Sequence, residues 1–182
     1  MSHPNYITLN GLERIRRELL WLEKEERPRV VSEVSYAASL GDRSENAEYL
    51  YGKKRLRKID SRRRFLIKRL EKARPVDPAQ MSGDTVRFGA TVVIEDEDGE
   101  QQTWRIYGED EVDVEAGVLS WRSPLARALM GKTEGDGVSF SAPGGTREIE
   151  LIEVSFEPQE PLPEVLRFTM EENARRHTRS HA

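Results

Sequence analysis

The stretch Gly41-Asp42-Arg43-Ser44-Glu45-Asn46-Ala47-Glu48-Tyr49 decides the fold of this chain, because it separates two long helix-like segments. If those segments fold back on each other, the stretch is the exposed tip of a hairpin. Gly41 suits the positive φ that ends a helix. Asp42 then reads as the N-cap of the next helix and Glu45 as its third residue, an Asp variant of the capping box. A helix starting there puts both carboxylates on one face. The same groups are ionised at neutral pH beside a helix N-terminus, so they also present hard oxygen ligands to a divalent cation. The two readings are compatible. Two carboxylates fall short of the about six oxygens that surround Mg²⁺, so waters and a partner would complete such a site.

Before the tip, Thr8 is a plausible N-cap, and Leu12, Ile15, Leu19 and Leu22 follow at the spacing of a helix packing on another helix. Glu26 and Arg29 take the next seam positions. Pro28 removes a backbone donor and is expected to bend the helix, which continues through Val30, Val31, Val34 and Ala37 to Leu40. After the tip, a second helix is expected from about Ser44 to Lys72 or Arg74. Its seam is Leu56, Ile59, Leu66 and Leu70, with Arg63 in one core slot. At about 1.5 Å per residue, each helix is roughly 40–50 Å long. The pair makes an antiparallel coiled-coil arm over residues 6–75.

Charge on the second helix is lopsided. From Lys53 to Arg74 there are twelve Lys and Arg against two acids, a net of +10. Such a density repels itself and suits a polyanion, above all a phosphate backbone. Pro75-Val76-Asp77-Pro78 then breaks the helix, and the period changes to that of strands. Thr85–Phe88, Thr91–Ile94, Thr103–Gly108, Val118–Trp121, Val138–Phe140 and Glu148–Val154 read as strands, with Asp98-Gly99 as a hairpin turn. Ser123-Pro124 opens a short helix to Met130. Residues 80–157 thus form a small antiparallel sheet domain with one helix, and the fold class is α+β. This domain is acidic, with eighteen acids and six bases between Met81 and Glu160. The formal net charge of −4 over 182 residues therefore conceals a strong dipole. Residues 158–182 are expected to be a frayed or disordered tail.

The chain has no cysteine, which excludes disulfides, thiol catalysis and cysteine-based zinc sites. No apolar run approaches the about 20 residues of a membrane span, and the first residues lack a signal peptide's pattern. A soluble, cytoplasmic protein without a membrane partner is the expectation. Gly131-Lys132-Thr133 lacks the upstream glycine and preceding strand of a phosphate-binding loop. His177 and His181 sit one helical turn apart but have no third ligand, and His3 is the only other histidine.

Taken together, the chain resembles the bacterial Gre transcript-cleavage factors. The likeness is carried by Ala37-Ala38-Ser39-Leu40-Gly41-Asp42-Arg43-Ser44-Glu45-Asn46-Ala47-Glu48-Tyr49, by Lys53-Lys54-Arg55-Leu56, by Ser123–Leu129 and by Pro143-Gly144-Gly145. Arg43 and the heavy basic patch make it look like the GreB branch. Arg122 stands where relatives often carry Asp or Asn, and the tail beyond Pro158 has no familiar counterpart.

The resemblance implies an N-terminal coiled-coil arm and an FKBP-like C-terminal domain. It implies a transcription elongation factor that is not itself an enzyme and whose partners are RNA polymerase and the nascent RNA 3′ end. The arm enters the polymerase secondary channel after backtracking. Asp42 and Glu45 are then the catalytic and metal residues, helping to hold a second Mg²⁺ shared with the polymerase, which cuts its own transcript. The isolated protein is expected to bind no cofactor and to be a monomer. Lys53, Lys54, Arg57, Lys58, Arg64 and Lys68 are the residues expected to face RNA. Ser123 and Pro124 are carried over as a docking point at the channel rim. The alternative is a channel regulator that inhibits polymerase without cleavage, and a further class is a plain nucleic-acid-binding coiled coil.

Overall fold

The computed structural model describes residues 4–41 and 46–170. Thr8 starts the first helix as expected, its hydroxyl accepting from Gly11 N at 3.1 Å. Strand β1 (Asn5–Thr8) runs straight into helix α1 (Leu9–Trp21). A π-helical turn over Leu22–Glu26 follows, and α2 (Arg27–Ser39) completes the first half of the arm. The sequence places a bend at Pro28. The structure has a wider turn just ahead of it, where the Arg27 amide reaches back to the Leu22 carbonyl. Widening the helix there relieves the conflict between the Pro28 ring and the carbonyl four residues earlier.

Helix α3 (Ala47–Glu71) returns against α1 and α2. Leu12, Ile15, Leu22 and Val30 are buried against Ile59 and Leu66, with Leu19, Leu56 and Leu70 packed around them. Close approach near the tip needs Gly52. A Cβ there would overlap the γ2 methyl of Val34. From Leu9 to Ser39 the arm extends about 45 Å.

At the base, β2 (Ala73–Val76) pairs in parallel with β1, Asn5 opposite Ala73 and Thr8 opposite Val76. The main sheet holds β3 (Thr91–Asp96), β4 (Gln101–Tyr107), β5 (Val118–Ser120), β6 (Gly137–Ala142) and β7 (Gly145–Ser155). Their order is β5-β4-β3-β7-β6. All neighbours are antiparallel except β4 and β5, which are parallel, so the expected antiparallel sheet is corrected at one edge. Helix α4 (Pro124–Leu129) covers one face, burying Ala126 and Leu129 against Val92, Ile106 and Leu151.

The acidic and apolar alternation of Glu148–Val154 falters at Leu151-Ile152. The β3–β7 register shifts there, from Val93 opposite Glu153 to Ile94 opposite Leu151. The bulge lets Leu151 and Val154 both face the core. Thr85–Phe88 is not a regular strand. It makes a single bridge, Thr85 with Thr133, while Val86 exchanges backbone hydrogen bonds with the Gly131–Lys132 turn.

The described part of the tail departs from expectation: residues 158–170 are docked along the arm rather than frayed, and residues 171–182 lie outside the described residues. Gln159 Oε1 accepts from Asn10 N at 3.2 Å, and Arg17 Nη1 donates to the Pro163 carbonyl at 2.8 Å. Phe168 lies on Trp21 with ring centroids 5.9 Å apart, and Met170 packs against the arm core.

Candidate functional site

The hairpin end is framed by two residues. Leu40 closes α2, its amide bonded to the Ala37 carbonyl at 3.2 Å, and Gly41 follows at φ 146°, a conformation that favours glycine. On the return side the helix cap is Asn46. Its side-chain oxygen accepts from Tyr49 N at 3.0 Å, and its amide nitrogen donates to the Ala37 carbonyl at 2.7 Å. One side chain thus caps α3 and ties it to the end of α2. The capping-box reading of Asp42 and Glu45 is corrected accordingly. The helix opens at Ala47 with Asn46 as its cap, so both acids precede it in the sequence. Asp42, Arg43, Ser44 and Glu45 themselves lie outside the described residues.

Several cap-competent residues stand close together in this sequence, Asp42, Ser44 and Asn46. The spacing of Glu45 after Asp42 favoured the first. Asn46 wins through a long-range contact, the bond to Ala37 O, which no local pattern announces.

The cations of α3 separate into two groups. Arg55, Arg62, Arg63 and Arg69 are neutralised. Arg55 spans Glu26 at 3.0 Å and Glu33 at 2.9 Å. Arg62 forks onto buried Glu18 at 2.6 and 2.9 Å. Arg63 reaches Glu23 at 2.7 Å, and Arg69 reaches Asp110 at 2.8 Å and Glu109 at 3.2 Å. By contrast, Lys53, Lys54, Arg57, Lys58, Arg64 and Lys68 are all exposed and make no ion pair among the described residues. On a helical wheel of about 100° per residue these six fall within an arc of roughly 140°, opposite Ile59 and Leu66. They form one stripe along the outer face of the arm.

Buried acids belong to this separation, and charge patterning alone did not single them out. Glu18 and Glu26 are 5% and 6% exposed. Each is held by arginine, as a buried carboxylate must be. Glu26 also binds Arg29 at 2.6 Å and pushes that guanidinium's pKa further above its ordinary value. Beside it, Trp21, Tyr51, Phe65 and Phe168 wall a groove of about 790 Å³, with Lys58 at its rim.

The expected docking residues sit at the start of α4. Ser123 Oγ caps the helix by accepting from Ala126 N at 3.2 Å, and Pro124 is exposed. Arg122 is tied to Glu109 at 3.1 Å, so it belongs to the network that holds the arm base. In the same junction Tyr6 rests on Phe88 and Trp121, with centroids 5.8 and 5.6 Å away. Glu111 closes it from inside, accepting from Thr8 N at 3.0 Å, from the Thr8 hydroxyl and from Gly108 N at 2.8 Å. Burial pushes the Glu111 carboxyl above the usual carboxylate range, and the three donors offset part of that rise.

Among the described residues no group of three or more His, Cys, Asp or Glu is placed to hold a metal ion. No described helix is long and apolar enough to cross a membrane.

Comparison with known proteins bears on both halves of the molecule. Residues 5–74 match the family described as "Transcription elongation factor, N-terminal", and residues 81–156 match "Transcription elongation factor, GreA/GreB, C-term". The chain is 50% identical over 153 residues to transcription elongation factor GreB of Neisseria meningitidis serogroup B, covering 84% of this chain and 94% of that protein. It is 49% identical over 158 residues to GreB of Yersinia pestis, covering 87% and 92%. Transcription elongation factor GreA of Mesorhizobium japonicum is 44% identical over 151 residues, covering 82% and 96%. Among solved structures, GreA factor homolog 1 (Gfh1) of Thermus thermophilus aligns with 23% identity and a TM-score of 0.40, over 84% of this chain and 99% of that one. With both halves matched, and at about half identity to GreB proteins over most of its length, the chain belongs to the GreA/GreB family of transcription elongation factors, on its GreB branch.

Proposed function

We propose that this factor rescues RNA polymerase halted after backtracking, by carrying the Asp42 and Glu45 carboxylates to the polymerase active centre. The observation that supports this reading is the division of charge on α3. The cations of α3 that make no ion pair among the described residues form one exposed stripe that leads along the arm toward Asn46, and the acids lie between Gly41 and Asn46 in the sequence.

An extruded RNA 3′ segment lying on Lys53, Lys54, Arg57, Lys58, Arg64 and Lys68 would be guided along the arm by its phosphates. The arm's reach of about 45 Å suits a deep, narrow channel. The acidic globular domain repels the same RNA and stays outside, with Pro124 and the start of α4 available at the rim. Asp42 and Glu45 would supply oxygen ligands to a Mg²⁺ shared with the polymerase; its chemistry there is to activate a water and offset charge on the phosphate. The donor set fits that role only in part, because two carboxylates leave most of the coordination shell to the partner. The factor acts as a monomer in the bacterial cytoplasm, and the bond that breaks is cut by the polymerase. Alone, the protein should show no nuclease activity and only weak Mg²⁺ affinity.

The test is transcript cleavage in stalled, backtracked polymerase complexes with the native protein and with Asp42→Asn/Glu45→Gln. Cleavage that needs the native protein and is lost in the double variant, with polymerase binding retained, is the expected result. Binding with inhibition and no cleavage would favour a channel blocker. Tight Mg²⁺ binding by the free protein would count against a shared site.

A further inference from the structure

The docked segment 158–170 lies beyond the second matched region, which ends at residue 156. It leaves the end of β7, at Ser155, and crosses from the globular domain to the arm. Gln159 holds the base of the arm at two points. Its Nε2 donates to Thr8 Oγ1 at 2.9 Å and its Oε1 accepts from Asn10 N at 3.2 Å. The Glu160 carbonyl accepts from Asn10 Nδ2 at 2.7 Å. About two turns up α1, Arg17 binds the carbonyls of Pro163 and Glu164 at 2.8 and 3.3 Å. Beyond that come the Phe168–Trp21 contact and Met170 packed against the arm core.

We infer that residues 158–170 are a brace that fixes the angle between the arm and the globular domain, with Arg17, Gln159 and Phe168 as its positioning residues. The functional part rests on the proposal above. The junction at the base, made by Glu111, Arg69 and the β1–β2 pair, acts close to the pivot and resists rotation with little leverage. The brace takes hold along the whole of α1, whose 13 residues place Trp21 about 20 Å above the base.

Leverage matters because the tip is far away. Rotation of the arm by about 5° would move a point about 45 Å from the pivot by roughly 4 Å. Ligands of Mg²⁺ must sit near 2.1 Å, and functional groups must be held to about 0.5 Å. A domain seated on the polymerase surface can aim the tip only if the arm is rigid relative to it. The brace supplies that rigidity from residues outside both matched regions.

The chain has no cysteine, so two spin labels can be placed cleanly at Ser32→Cys on α2 and Asp98→Cys in the β3–β4 turn, both exposed. The distance between them is measured in the full chain, then with Arg17→Ala/Phe168→Ala and with Gln159→Ala. Arg17→Ala alone serves as the variant sure to fold, since it loses only exposed hydrogen bonds and a surface ion pair. A single narrow distribution that broadens in the brace variants is expected. The cleavage rate at saturating factor should fall by about tenfold or more, since a misplacement of about 1 Å can cost up to about a hundredfold, while polymerase affinity changes by less than about twofold. An unchanged distribution overturns the brace. So does a broadened distribution with an unchanged cleavage rate, which would leave the segment without a positioning role. Because the distance measurement needs no polymerase, it reads the brace even where the proposed function fails.

Discussion

Removing two positive charges from α3 should have opposite consequences depending on which two are removed. Arg57→Gln/Arg64→Gln takes both from the exposed stripe. Arg55→Gln/Arg63→Gln takes both from the arginines facing Glu26, Glu33, Glu23 and Asp60, whose side chains are only 27% and 30% exposed. Net charge changes identically. Each phosphate contact on a single strand contributes about 0.7 to the slope of log affinity against log salt, so the stripe variant should lose about 1.4. Between about 50 and about 200 mM salt that is a roughly sevenfold smaller drop in affinity. The facing-arginine variant should keep its slope, because its guanidinium groups are already neutralised by protein carboxylates.

Stability should show the reverse. Exposed substitutions without ion pairs stay within about 0.5 kcal/mol. Losing Arg55 leaves Glu26 buried with Arg29 as its remaining partner, a cost of about 1–3 kcal/mol. The assay is fluorescence anisotropy of a labelled single-stranded RNA titrated at several salt concentrations, with thermal unfolding of the same samples. Equal slope changes in the two variants would refute the division of charge. Binding would then respond to the helix's total charge rather than to the stripe.

Two more outcomes are expected. Gly52→Ala should gain about 1 kcal/mol of helix propensity but lose about 1–3 kcal/mol to the overlap with Val34, lowering the melting temperature by a few degrees; adding Val34→Ala should remove the penalty, and a rise in melting temperature for Gly52→Ala alone would contradict the close packing. For Glu111, a folded-state pKa raised by burial contributes stability that is complete below the unfolded-state value and is lost as pH rises through the folded value. In urea unfolding the native protein should therefore lose stability relative to Glu111→Gln as pH rises above the ordinary carboxylate range, and a difference that is flat with pH would remove burial as the dominant influence.

Features set by local chemistry were legible in the sequence. The Thr8 cap, the Ser123-Pro124 helix start, the Asp98-Gly99 turn and the Leu and Ile seams each depend on residues within a turn of one another. What escaped was set by contacts across the chain. Asn46 is chosen as cap through Ala37, nine residues away. The β1–β2 pair joins Asn5 to Ala73, and its strands of 4 residues are too short to signal themselves. Segment 158–170 has almost no regular secondary structure, so no periodicity marks it, and its order comes from Asn10, Arg17 and Trp21. Pro28 announced a disturbance correctly. The acids at the tip were legible as residues, and Asp42 and Glu45 remain the basis of the proposal, although the helix they were expected to open begins at Ala47.

Charge counting alone would have misjudged the second helix, because a cation's availability is decided by the opposite helix. Glu18, Glu23, Glu26 and Glu33 lie on the first half of the arm, and Glu109 and Asp110 lie beneath its base. They claim the arginines that point inward or sideways. Arginine suits those places, since its planar fork satisfies two carboxylate oxygens at once, as Arg62 does on Glu18. The outer face keeps four lysines among its six cations, compact charges on flexible stems that can follow a mobile phosphate chain without a fixed geometry. The two chemistries thus divide the labour, with arginine forks locking the arm together and the lysine-rich outer face left for a polyanion. An acidic partner at each inward arginine is what keeps the stripe confined to one face, and so gives the arm a direction as well as a charge.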